Sequence, residues 1–247
     1  MHALLVVAKR PAPGQTKTRL TPPLTPGQAA QLYESFLCDT LDLIRRVPGA
    51  RPLLAHLPEG AEDYFRALAP DFELLPQVGD DLGARLDNAL THCLSDGFTR
   101  AVILDSDSPT LPAEYLAQAL AALETADAVI GPCDDGGYYL IGLKRPAPRL
   151  LREVKMSTPH VTRDTLSLAA EEKLAIAQLP MWYDVDTAAE LERLRAELSA
   201  LPPDRAPHTR AALEGVFKRS PAASPRRETS ARTRTLSEFE DTFLGNG

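Results

Sequence analysis

The sequence predicts an α/β fold in which a mostly parallel mixed sheet is covered by helices on both faces. Two observations carry this. Short apolar, β-branched runs recur along the chain, too continuously hydrophobic for strands with one wet face. Amphipathic stretches at helical spacing separate them, which is the alternation a crossover-linked sheet requires. With 247 residues, 44% of them hydrophobic, the chain is long enough for one core and a tail.

Taken in order, the first strand is Ala3–Ala8 (ALLVVA). A helix follows over 25–47, opened by Thr25 as N-cap and Pro26 at the first helical position, with Leu32, Phe36, Leu37 and Leu41 on one face. Pro52–Leu57 and Phe72–Pro76 are the next strands, and Asp81 then starts a helix that stops at Gly97. Ala101–Asp105 is the fourth strand, followed by a helix over 111–127. Ala128–Pro132, Tyr138–Leu143 and Ala175–Leu179 complete the sheet, and a helix capped by Thr187 closes at Leu201. The ordered domain is expected to span 1–201. Over 202–247 Pro, Ser, Thr and Arg dominate; HTRAALEGVF fits one short helix, while SPAASPRRETSARTR has the makeup of a disordered segment.

A formal net charge of −7 argues against the sequence-independent phosphate attraction on which nucleic-acid binders rely. No apolar run approaches the ~20 residues that span a bilayer, and the charges at Lys9 and Arg10 come too soon for a secretory leader. A cytoplasmic protein without nucleic-acid or membrane partners is expected. Cys38, Cys93 and Cys133 are far apart and read as ordinary thiols, and the five histidines are scattered without ligand spacing.

In open α/β sheets ligands bind beyond the carboxyl ends of the parallel strands, so the segments that follow each strand hold the candidate chemistry. After the first strand, AKRPAPGQTKTRL offers Lys9, Gly14, Thr16, Lys17 and Arg19: an irregular, cationic, hydroxyl-bearing cradle for a di- or triphosphate. It is neither G-x-G-x-x-G nor a Walker loop, and a solvated basic loop would look the same. After the third strand, Gly79, Leu82, Gly83 and Arg85 of QVGDDLGARL let a ligand approach the backbone; Gly83 would serve helix packing as well, and Arg85 would meet either a phosphate or Asp81. After the fourth, DSDSP brings Asp105 and Asp107, suited to Mg²⁺ (or Mn²⁺), which takes one or two carboxylates and completes its shell with water and phosphate. The same residues also form turns. After the fifth, Asp134, Asp135, Gly136, Gly137 and Tyr138 make either a pocket for acceptor hydroxyls or a plain hairpin turn. Asp186, beside the Thr187 cap, is either a second metal carboxylate or a helix-dipole partner.

Five motifs in order resemble the nucleotide-diphospho-sugar transferase (GT-A) superfamily, and within it a small bacterial glycosyltransferase-like family found near radical-SAM and arsenosugar genes. They are K-x-P-x-P-G-x-x-K-T-R-L (9–20), G-D-x-L-G-x-R-L with one extra acidic residue (79–86), S-D-S-P-x-L (106–111), G-P-x-x-D-G-G-Y-Y-L-I-G-L (131–143) and Y-D-V-D-T (183–187). More distantly, the chain resembles molybdenum-cofactor and phospholactate guanylyltransferases. It departs from the family pattern at Met156, where an aromatic is usual, and in TAAEL at 187–191.

The resemblance implies a Rossmann-like GT-A domain in which Lys17 and Arg19 contact donor phosphates and Asp107 ligates the metal. It also implies that Asp186 is the second carboxylate with Asp105 in support, that residues 79–85 lie beside the nucleoside, and that Asp135, Gly136 and Gly137 line the acceptor pocket. The implied activity is Mg²⁺-dependent transfer from a nucleotide donor to a small-molecule acceptor, foremost of a sugar. The alternative is nucleotidyl transfer from a triphosphate to a phosphorylated acceptor with loss of pyrophosphate, and a homodimer is admissible. A non-catalytic nucleotide-binding scaffold is a further alternative. Haloacid-dehalogenase-like phosphatases begin their signature with D-x-D as well, but place it on the first strand with Thr or Val where this chain has Pro109.

Overall fold

The computed structural model describes residues 1–218 as an α/β body built on one seven-stranded sheet. The strands are β1 (His2–Lys9), β2 (Ala50–Leu57), β3 (Glu73–Pro76), β4 (Arg100–Leu104), β5 (Ala128–Pro132), β6 (Tyr138–Leu143) and β7 (Ile176–Gln178), in the order β3-β2-β1-β4-β6-β5-β7. Only β6 runs antiparallel to its neighbours β4 and β5. The helices are α1 (Pro26–Arg45), α2 (Glu62–Leu68), α3 (Leu82–Ser95), α4 (Ala113–Ala122), α5 (Arg149–Arg152), α6 (Val161–Glu171), α7 (Ala188–Ala200) and α8 (Pro207–Lys218).

Each strand read from the sequence is present, within two residues at either end. The reason is visible in β1, where Leu4 and Val6 pack against α1 while Ala3 and Leu5 pack against α3. Burial on both faces removes the polar alternation and leaves a continuous apolar run. Helix starts follow their caps. Thr25 Oγ1 accepts from Gln28 N at 3.3 Å and Gln28 Oε1 from Thr25 N at 2.8 Å, a reciprocal capping box, and Asp81 Oδ1 accepts from Ala84 N at 2.7 Å. Helices α2, α5 and α6 carry little signal in the sequence: α2 and α5 are short, and α6 contains Val, Thr and Asp, residues of low helix propensity.

Beyond Leu201, the boundary expected from the sequence, helix α8 packs on the body. Leu213 and Val216 of α8 are buried with Leu20, Phe36 and Leu191. The Asp39 carboxylate, from the middle of α1, accepts from His208 N (3.1 Å), Thr209 N (2.9 Å) and Thr209 Oγ1 (2.6 Å), so a side chain of one helix caps the start of another. The segment read as disordered, Ser220–Arg234, lies outside the described residues. Among the described residues, no helix is long and apolar enough to cross a membrane.

Candidate active site

The chain turns back between β1 and β4: β2 and β3 extend the sheet to one side of β1, and the chain then returns to form β4 on the other. That switch leaves a crevice beyond the carboxyl ends of β1 and β4. Into it the structure brings Lys17, Asp107 and Asp186, which lie 169 positions apart at the extremes.

Lys17 reaches the crevice because of local packing on either side. Thr16 is buried, its hydroxyl donating to Ala12 O at 3.2 Å, and Leu20 is buried at the end of a 3₁₀ turn (Thr18–Leu20). The chain between them takes a left-handed conformation at Lys17 (φ 49°, ψ 42°). The Lys17 side chain, 5% exposed, places its ammonium 2.8 Å from Asp107 Oδ1 and 2.6 Å from Asp186 Oδ1. Burial alone would lower its pKa; the two carboxylates outweigh that and hold it above the ordinary lysine value. Arg19, mostly exposed, lies 3.4 Å from Asp186 Oδ2.

Burial, then the neighbouring Asp107 charge, raises the pKa of Asp105 well above the carboxylate range, while its Oδ1 accepts from Asp107 N at 3.1 Å. Asp184 is pushed up to about 6, first by burial and then by the charges of Asp186 and Asp135. Tyr33 from α1 completes the floor: its hydroxyl accepts from Lys9 N and meets Ser106 Oγ, both at 3.0 Å. Burial raises its pKa to about 12, so it stays a neutral phenol.

Two cavities share Arg19, Asp107 and Asp186. The smaller, about 260 Å³, is lined by Lys9, Thr16, Lys17 and Tyr33. The larger, about 510 Å³, is lined on its other side by Leu82, Asp135, Gly137, Tyr138 and Asp184. Its remaining wall is the segment Met156–Pro159, together with Cys133 and Val161. That wall is held to the β5–β6 turn: Thr162 N donates to Gly136 O at 3.0 Å, and a Cβ on Gly136 (φ 90°) would sit 2.1 Å from Pro159 O.

Other residues marked from the sequence stand apart from both cavities. Gly14 (φ 72°) makes a turn in open space. Gly79 (φ 139°) folds back on α3, its carbonyl accepting from Arg85 Nε at 2.9 Å, so that contact of Arg85 is neither to a phosphate nor to Asp81. Gly83 is a packing residue: a Cβ there would lie 2.1 Å from Leu151 O. Asp134 forms an ion pair with Arg193. Asp184, Cys133 and Met156 line the larger cavity although no spacing in the sequence assigns them to a site.

Asp107 Oδ1 is buried against the Lys17 ammonium, which it shares with the Asp186 carboxylate, and with that ammonium moved away the two carboxylates suit a hard divalent cation. A second group, Cys133, Asp135 and Asp184, offers one ligand atom each within 4.8 Å of one another. Burial first, and then four nearby aspartates, raise the Cys133 thiol far above its ordinary pKa, so it is a poor partner for Mg²⁺.

Comparison with known proteins gives consistent relatives. Residues 40–158 match a family described as "Uncharacterized protein conserved in bacteria (DUF2064)". The crystal structure of a "putative nucleotide-diphospho-sugar transferase" from Desulfovibrio desulfuricans G20 is 33% identical, superposes with a TM-score of 0.82, and covers 88% of this chain and 95% of its own. The 2-phospho-L-lactate guanylyltransferase of Methanothermobacter thermautotrophicus is 29% identical over 180 residues, 71% of this chain and 76% of its own length. The 4-diphosphocytidyl-2C-methyl-D-erythritol synthase of Anaerococcus prevotii shares the fold at a TM-score of 0.54 and 14% identity, over 80% of this chain and 96% of its own.

Proposed function

The chain belongs to the nucleotide-diphospho-sugar transferase family and is a nucleotide-utilising transferase; from that premise we propose that it moves a sugar from a nucleotide-sugar to a hydroxyl of a small, unphosphorylated acceptor. The observation that carries this reading is the segregation of charge. Lys9, Lys17 and Arg19 face only Asp107 and Asp186 around the smaller cavity, whereas Asp107, Asp135, Asp184 and Asp186 line the larger with Arg19 as the cation. A donor diphosphate is attracted to the first. A phosphorylated acceptor would be repelled by the second, whereas a polyol finds carboxylates that accept its hydroxyl protons.

In this mechanism Lys17 and Arg19 bind the donor phosphates, and Lys17 leaves its carboxylate partners to do so. Asp107 and Asp186 would hold Mg²⁺ or Mn²⁺ in place of the Lys17 ammonium, with or without nucleotide. Such a cation would offset the charge that builds on the departing nucleoside diphosphate. The acceptor oxygen forms its bond to the anomeric carbon, the bond from that carbon to the diphosphate oxygen breaks, and the hydroxyl proton passes to a carboxylate of the larger cavity. Leu82 would border the nucleoside, and the wall at Met156–Pro159 would border the acceptor. Asp107→Asn should lower turnover at least about 100-fold, the scale of losing a centre that stabilises developing charge, while the melting temperature stays near that of the unaltered protein. Unchanged turnover would remove the metal assignment.

Nucleotidyl transfer is favoured by one finding, the guanylyltransferase relative at 29% identity. The product separates the two. Incubation with Mg²⁺ and either nucleotide-sugars or nucleoside triphosphates, each with a panel of polyols and sugar phosphates, should release nucleoside diphosphate from a nucleotide-sugar. Release of pyrophosphate from a triphosphate would establish nucleotidyl transfer instead, and release of neither, with nucleotide still bound, would leave a scaffold.

A further inference from the structure

Asp107 and Asp186 come from segments distant in sequence, β4–α4 and β7–α7, so their separation must be set by something other than either loop alone. Two direct links join the segments: Val185 N donates to Asp107 O at 3.0 Å, and Ser108 Oγ donates to Tyr183 O at 2.9 Å. A third runs through α7. Glu197 Oε2 accepts from the Thr110 hydroxyl at 3.0 Å and from the Tyr183 hydroxyl at close range. Thr110 and Tyr183 are 1% and 3% exposed, so neither hydroxyl has water as a substitute partner.

The symmetry of this link is informative. Thr110 lies three positions after Asp107 and Tyr183 three positions before Asp186. One carboxylate oxygen therefore ties the chain beyond the first ligand to the chain ahead of the second. Glu197 itself lines neither cavity and touches neither Lys17 nor the two aspartates. Arg193 lies over the Tyr183 ring at 3.7 Å.

We propose that Glu197 is a positioning residue, which fixes the spacing of the Asp107 and Asp186 carboxylates by holding the Thr110 and Tyr183 hydroxyls on a single oxygen. The inference rests on the reading of those two aspartates as the metal pair. It differs from a general packing role in what it should move. A side chain that only fills space would change stability, whereas Glu197 should change how tightly a cation binds before any nucleotide is present.

The test is Mn²⁺ affinity of the full chain without nucleotide, read from the loss of the free-ion signal in electron paramagnetic resonance, with a melting curve for each variant. Glu197→Ala should weaken Mn²⁺ binding about 10–100-fold, the range seen when partners that orient metal ligands are removed. Glu197→Gln keeps an oxygen that can accept from both hydroxyls and should restore binding to near that of the unaltered protein. Thr110→Val and Tyr183→Phe each delete one hydroxyl at nearly constant volume and serve if Glu197→Ala does not fold; each should weaken binding. Unaltered Mn²⁺ affinity in the folded hydroxyl variants overturns the positioning role and leaves the metal reading standing. Failure of the unaltered protein to bind Mn²⁺ overturns the metal reading, and this inference with it.

Discussion

Lys17 concentrates the chemistry of the site in one residue: a non-glycine in left-handed backbone, a strain of about 1–3 kcal/mol, with its ammonium between two carboxylates. Its removal has two separable effects. Lys17→Met should weaken donor binding at least tenfold, since a hydrogen bond to a charged group is worth about 1.5–3 kcal/mol. It should also lower stability by about 1–3 kcal/mol, because the charges of Asp107 and Asp186 lose their partner, and Mn²⁺ should restore the melting temperature by replacing it. A melt with and without Mn²⁺ measures this; an unchanged melting temperature in the variant would show that the pair contributes nothing to the fold. Asp184 gives a pH prediction. Its folded-state pKa of about 6 stands above its ordinary 3.8, so the folded protein keeps a proton that the unfolded chain releases between those values. Stability is therefore lost as pH rises through about 4 to 6, and the penalty persists above it. Asp184→Asn, in metal-free buffer, should raise stability by on the order of 1–2 kcal/mol at pH 7.5 and by little at pH 3.5, as read by denaturant melts at the two values.

At the scale of elements, the docking of α8 depends on a carboxylate that it does not itself supply. Asp39 accepts three hydrogen bonds at the start of α8. Asp39→Ala should cost about 1–3 kcal/mol and speed proteolysis in the connection over 201–207, since the helix start loses its donors' partner. Equal cleavage rates in the two proteins would show that apolar packing alone holds the helix. Strands were legible from sequence because burial on both faces writes itself as unbroken apolar runs, as in Ala3–Ala8 and Ala128–Pro132. The docking of α8 was not, since the signal for it is the pairing of Asp39 with Thr209, 170 positions away, and neither residue is unusual locally. The wall at Met156–Pro159 was hidden for a similar reason: its place against Gly136 follows from how the chain crosses after β6, and nothing in KMSTPH states it.

For the whole molecule, the legible part of the site was the part that strand ends dictate. Lys17 and Asp107 follow β1 and β4, and any parallel sheet with a switch between those strands brings them together. What sequence left open was which acidic residues face the cavity and which face solvent, and the structure divides Asp135 from Asp134 on that basis. With net charge −7, the molecule repels anions at long range, so in the proposed reaction nucleotide capture would depend on the local cations and on metal. In the presence of Mg²⁺, a nucleotide-sugar at about 100 times its Kd should add about 2.7 kcal/mol to stability, and chelation should abolish most of that gain in a thermal-shift assay. Retention of the gain after chelation would make Lys17 and Arg19 sufficient for donor binding.

The reversal of β6 bears on how such a site changes over time. Because β6 is antiparallel, β5 and β6 are joined across the crevice edge by Cys133–Gly137 alone, closed by hydrogen bonds from Cys133 N to Gly137 O (2.9 Å), Gly136 N to Cys133 O (3.1 Å) and Gly137 N to Asp135 Oδ1 (2.8 Å). The proposed donor side is instead served by the long segment from Arg10 to Thr25, which has room to vary in length. An inserted residue in the short hairpin would shift the pairing of β6 and turn its side chains to the wrong faces. Relatives that diverge in acceptor should therefore differ by exchange of side chains at positions such as 135 and 138, and keep the length of this turn constant.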